Sequence, residues 1–106
     1  MTRIKNAIAR SKMNYLTQLR HMAEHDTLTG LYNRRHFFEM TEKLIGQHRS
    51  ENIVFVRMDI NRFRLINAYW GETGGDELLK FIGEQIRLAV SEYDWSSYGR
   101  IESDVF

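Results

Sequence analysis

Asp59 follows Ile53-Val54-Phe55-Val56, a continuous apolar run rich in β-branched residues. With Met58 and Ile60, that run reads as a strand buried on both faces, usually the centre of its sheet. Ligands in α/β sheets commonly bind at such a strand exit, and a carboxylate there suits Mg²⁺, a hard cation that prefers oxygen donors and substrate phosphates. Taken alone, Asp59 reads more simply as a carboxylate satisfied by nearby backbone N–H groups. Asp59-Ile60-Asn61 also opens like a calcium loop, but Arg64 stands where that loop needs Gly and Trp70 where it needs Glu, which excludes it.

Asn67 and Asp76 form a second pair. An amide offers donor and acceptor together, and a carboxylate accepts two N–H bonds side by side, so the pair has the chemistry to read a guanine edge. Asp76 has a simpler role as the N-cap of a helix starting at Glu77, and from chemistry alone that role is favoured. His21 and His25 sit four apart, a metal-ligand spacing on a helix, but no third ligand lies nearby and solvated histidines are the better reading.

Elements must position these groups. Ile4, Ile8, Ser11, Tyr15, Leu19 and Met22 recur at spacings of four, three, four, four and three, a heptad-like stripe with one stutter. It fits a helical linker over 1–25 that pairs with its twin in a homodimer, or an amphipathic helix lying on its own domain. Asn33 caps a helix from Arg34 with Phe37, Met40, Thr41, Leu44 and Ile45 on its buried side. After the 53–60 strand come a short helix over 63–69, a glycine-rich turn over 71–75, a helix over 77–90 and a second strand over 95–101.

Composition bounds the function. The chain has 106 residues, 15 Lys+Arg against 14 Asp+Glu, and neither Cys nor Pro. That size allows one domain with a modest core. The lack of Cys excludes disulfides, thiolate zinc sites and a cysteine nucleophile. A net charge of +1 argues against a nucleic-acid binder. It divides unevenly: residues 1–25 hold Arg3, Lys5, Arg10, Lys12 and Arg20 against Glu24 alone, a net +4 that leaves −3 for the rest. With no membrane-length apolar run and no signal-peptide core, the expected location is cytoplasmic, in a parent protein that could itself be membrane-anchored.

Three motifs in order then resemble one family. Asp26-Thr27-Leu28-Thr29-Gly30-Leu31-Tyr32-Asn33-Arg34-Arg35 is similar to the opening motif of GGDEF domains, the diguanylate cyclases of bacterial cyclic di-GMP signalling. Asp59 to Asn67 resembles that family's D-[IL]-D-x-F-K-x-[IV]-N, and Gly71 to Leu79 its G-H-x-x-G-D-x-x-L. The resemblance covers 26–106. Gly74-Gly75-Asp76-Glu77 spells most of the family name but sits in the third motif; the signature itself falls after Arg100, at Glu102-Ser103-Asp104-Val105-Phe106.

The resemblance implies an α+β nucleotide-cyclase palm, a ferredoxin-like βαββαβ core preceded by the linker helix and truncated within the signature hairpin. It implies Mg²⁺ on Asp59, the Ile60 carbonyl and Asp104, with Asp104 also the remnant of the catalytic signature. Asn67, Asp76, Phe63 and Arg64 become the GTP-binding residues. The departures are equally specific. Glu102 and Ser103 replace two glycines, bringing Cβ atoms and a negative charge toward a triphosphate. Val105 replaces the second acid, and Asn61, Arg64, Ala68 and Glu72 replace an Asp, a Lys, an Asp and a His. Tyr93 and Ser96 stand where the family's product-binding R-x-x-D belongs, so tight product inhibition is not expected. The implied function is a degenerate, catalytically inactive regulatory or GTP-sensing module, with an upstream sensor and a downstream phosphodiesterase domain as candidate neighbours. The competing readings are an active cyclase in full-length form and a dimerisation scaffold that binds no nucleotide.

Overall fold

The computed structural model describes residues 2–106. Three helices dominate: α1 (Thr2–Glu24), α2 (Arg34–Gln47) and α3 (Phe63–Val90). The apolar stripe of α1 is uncovered, with Ile4 60 % and Met22 63 % exposed. Among the described residues α1 therefore does not lie on its own domain.

A tight turn joins α1 to α2. The Asp26 carboxylate accepts hydrogen bonds from the Thr29 backbone N–H at 2.8 Å and its hydroxyl at 2.7 Å. Asn33 then caps α2, its side chain accepting from His36 N at 3.0 Å. Such a cap satisfies one of the first-turn amides that have no partner within a helix. The side chain of Asn33 and Arg35 Nη2 both donate to the Ala23 carbonyl at 2.8 Å, tying the end of α1 to the start of α2. The predicted buried face of α2 is only half-buried, and Ile45 is exposed.

α3 comprises two helical stretches, 63–70 and 72–90, that meet at a kink, so the expected helix, turn and helix holds with the turn narrowed to Gly71, at φ 77° and ψ 171°. Positive φ costs glycine nothing extra, so the break is confined to that residue and the helix resumes beyond it. Asp76 consequently lies inside α3 and does not act as an N-cap. α3 begins after Arg62, which is left-handed at φ 58° without a side-chain cap.

The two expected strands do not form ladders. The described residues contain isolated bridges, pairing His25 with Tyr32, Tyr32 with Gly99, Asp59 with Val105 and Glu102 with Val105. The 53–57 run is not the buried strand its composition predicts: Val54, Phe55 and Val56 are 83 %, 68 % and 73 % exposed. A strand is buried only by its neighbours, and among the described residues none runs alongside it. The core lies instead where α3 meets the turn and the signature segment. Leu31, Leu79 and Phe106 are its buried centre, with Leu28, Ile60, Phe63, Ile82, Ile86 and Tyr98 packed around them.

Candidate nucleotide and metal site

The signature segment folds back against the exit of the 53–60 run. Met58 and Phe106 exchange backbone hydrogen bonds of 2.9 Å in each direction, and Ile60 N donates to the Asp104 carbonyl at 3.1 Å. Asp59 is bridged to Val105, and Glu102 to Val105 across the turn. Two segments far apart in sequence thus bring Asp59, Ile60 and Asp104 to one place. Two carboxylates and a carbonyl are a hard oxygen set that suits Mg²⁺, completed by water and phosphate. Asp59 is open to a ligand, its side chain 56 % exposed with Arg57 Nε 3.4 Å away. Among the described residues no three His, Cys, Asp or Glu side chains are grouped to hold a metal by themselves. His21 and His25 stack ring on ring at 4.1 Å.

Each residue replacing a signature glycine has a local partner. Glu102 Oε1 lies 3.7 Å from Arg34 Nη1, an exposed pair that partly offsets the carboxylate's charge. The Ser103 hydroxyl donates to Asp104 Oδ1 at 3.3 Å. Val105 is buried, so an apolar side chain fills the position of the missing second acid.

Phe63, Asn67 and the Gly75-Asp76 pair come together across the Gly71 kink. A Cβ on Gly75 would fall 1.8 Å from Asn67 Oδ1 and 3.3 Å from Phe63 Cζ, so the bare backbone of Gly75 lets Asn67 and Phe63 close over it beside Asp76. Asn67, Asp76 and Phe63 are all half-buried. Arg64 does not join them; it is exposed on the first turn of α3 and forms no ion pair among the described residues.

The most interior charge pair connects the α1 exit to the signature turn. Arg100 Nη1 donates to Asp26 Oδ1 at 3.1 Å and Oδ2 at 3.3 Å, while its Nε and Nη2 donate to the Ser103 carbonyl at 3.1 and 2.9 Å. Both side chains are less than one-fifth exposed. Burial works to raise the Asp26 carboxyl, but the Thr29 hydrogen bonds and the Arg100 charge outweigh it and hold it below its usual value. The sequence offered Asp26 only as the first residue of the opening motif. The pairing with Arg100 carries no local signal, because the partners are remote in the chain.

The chain belongs to the GGDEF family: the family model described as "Diguanylate cyclase, GGDEF domain" matches residues 23–106. It is similar to diguanylate cyclase DgcM of Escherichia coli K12, 42 % identical over 79 residues that cover 73 % of this chain and 19 % of that protein. It is also similar to the cyclic di-GMP phosphodiesterase NbdA of Pseudomonas aeruginosa, 33 % identical over 91 residues covering 84 % of this chain and 12 % of that one. The chain spans less than a quarter of these relatives. Among solved structures, the coiled coil and GGDEF domain of DgcB from Caulobacter crescentus, crystallised with c-di-GMP, shares the fold at a TM-score of 0.79 and 23 % identity. That match covers 99 % of this chain and 56 % of the other. Among the described residues no helix is long and apolar enough to cross a membrane.

Proposed function

We propose that residues 26–106 are part of an α+β cyclase-palm domain that binds a guanine nucleotide and has lost most or all cyclase activity, serving as a regulatory or sensing module in cyclic di-GMP signalling. The observation that carries this reading is the contrast between two parts of one site. Phe63 and Asn67 close over Gly75 beside Asp76, residues with the chemistry to read a base, whereas the signature turn beside Asp59 presents Glu102 and a buried Val105. Asn67 and Asp76 would hold the guanine edge, and Asp59, the Ile60 carbonyl and Asp104 would hold Mg²⁺ with the phosphates. When bound, the ion neutralises charge on the phosphate oxygens. Arg64 would approach phosphate through its long exposed side chain. Residues 1–25 are read as a linker whose apolar stripe pairs in a homodimer, the arrangement that would set two such sites face to face. A cytoplasmic position, an upstream sensor and a downstream phosphodiesterase domain complete the proposal for the parent protein.

The 42 % identity to DgcM favours the second reading, an active cyclase joining two GTP into cyclic di-GMP. Two measurements separate the readings. Full-length protein incubated with GTP and Mg²⁺ is expected to give no cyclic di-GMP by chromatography; clear product, abolished by Asp59→Ala, establishes the active enzyme. Calorimetric titration with GTP is expected to give heat with wild type and much less with Asn67→Ala. No heat from either would leave a dimerisation scaffold.

A further inference from the structure

Glu102 is held by the turn it opens. Ile101 N donates to the Val105 carbonyl at 2.8 Å, Glu102 N donates to the same carbonyl at 3.4 Å, and Val105 N returns to the Glu102 carbonyl at 3.3 Å. From the other side, Arg100 Nε and Nη2 grip the Ser103 carbonyl at 3.1 and 2.9 Å. Among the described residues Arg62 is the only non-glycine with positive φ, so Glu102 and Ser103 sit in the turn without the backbone conformation that would favour glycine. Val105 is bridged to both Glu102 and Asp59, which puts Glu102 at the same turn as the Asp59 and Asp104 carboxylates.

The guanidinium groups beside this turn already face oxygens of the chain itself. Arg57 Nε lies 3.4 Å from Asp59 Oδ1, Arg34 Nη1 lies 3.7 Å from Glu102 Oε1, and Arg100 directs its donors to Asp26 and the Ser103 carbonyl. Asp59 and Asp104 have a counterpart in the metal they are proposed to hold. Glu102 has Arg34, and in that pair a carboxylate takes the guanidinium that would otherwise suit a phosphate. A nucleotide entering the turn therefore meets an added negative charge and a cation already engaged. Both effects grow with the phosphate chain, because a triphosphate brings more negative charge to the turn than a monophosphate does. Given a guanine base held by Asn67 and Asp76, as proposed above, we infer that Glu102 is a specificity-determining residue: it selects guanine nucleotides of low phosphate charge, so that the monophosphate binds in preference to the triphosphate. Glu102 and Arg34 are each 63 % exposed, and an exposed pair contributes little to stability, so Glu102 variants are expected to fold.

Calorimetric titration of the full-length protein with GMP, GDP and GTP at one Mg²⁺ concentration tests this in wild type, Glu102→Gln and Glu102→Gly. Wild type is expected to bind GMP about tenfold more tightly than GTP, with GDP between them, the scale of one unit charge a few ångströms away in a half-exposed site. Glu102→Gln keeps the bulk of the side chain, removes its charge and frees Arg34, so most of the preference should be lost. Added salt should erode the preference in wild type and leave Glu102→Gln unchanged. Arg34→Ala placed on Glu102→Gln should weaken GTP again, since the freed guanidinium is then gone. GTP binding as tight as GMP in wild type overturns the inference. So does a preference that persists in Glu102→Gln, whether or not Glu102→Gly removes it, because charge is then not its source. If none of the three nucleotides gives heat, the guanine site itself fails and the selectivity with it.

Discussion

Removing the Arg100 side chain should cost far more than the loss of an ordinary surface charge. Its guanidinium holds both oxygens of Asp26 and, through two further hydrogen bonds, the Ser103 carbonyl of the signature turn. Breaking a buried ion pair by deleting one partner costs about 3–5 kcal/mol, and an exposed pair is worth about 0–1 kcal/mol. With side-chain exposures of 16 % and 19 %, the Arg100–Asp26 pair falls between these limits, so Arg100→Ala is expected to lower stability by about 2–3 kcal/mol. The assay is urea unfolding of wild type, Asp26→Ala, Arg100→Ala and the double variant. A coupling energy of about 1–2 kcal/mol is expected from the cycle. The pH dependence follows from the lowered Asp26 carboxyl. Its contribution is fully present above the unfolded value near 3.8 and is lost as pH falls through the lower folded value. In Arg100→Ala that acid sensitivity should shrink. Additive single variants, with coupling below about 0.5 kcal/mol, would refute the claim that this pair joins the α1 exit to the signature turn.

Two further substitutions test the site's backbone. Gly75→Ala forces a methyl group into the space of Asn67 Oδ1, so Asn67 must swing away. GTP binding by calorimetry is expected to fall about tenfold, the loss of about one hydrogen bond to the base, and affinity equal to wild type would show that Asn67 does not read the base. Arg62→Gly removes the cost of a left-handed non-glycine residue at φ 58°. Urea unfolding is expected to show a gain of about 0.5–1 kcal/mol, net of the entropy glycine adds to the unfolded chain. A loss would mean that the Arg62 side chain stabilises the start of α3.

The sequence by itself determined the features that depend on near neighbours. Asn33 three residues before His36 is a cap wherever α2 forms, and Asp26 three before Thr29 closes the turn by the same short reach. The motif order was sufficient to identify the family and the degenerate signature, because those are properties of residue identity. The exact place of the break in α3 was not legible: five residues that include three glycines read as a turn, yet only Gly71 leaves helical geometry. Nor was the exposure of Val54, Phe55 and Val56, since an apolar run says what a segment would bury and cannot say whether a neighbour runs beside it. Tertiary structure alone decided which distant groups meet. Arg100 with Asp26, Glu102 with Arg34, and Asp104 with Ile60 are pairings between segments whose separation in the chain carries no periodic signal. They arise because Leu31, Leu79 and Phe106 share one core, and packing those three side chains draws the turn, α3 and the signature segment together.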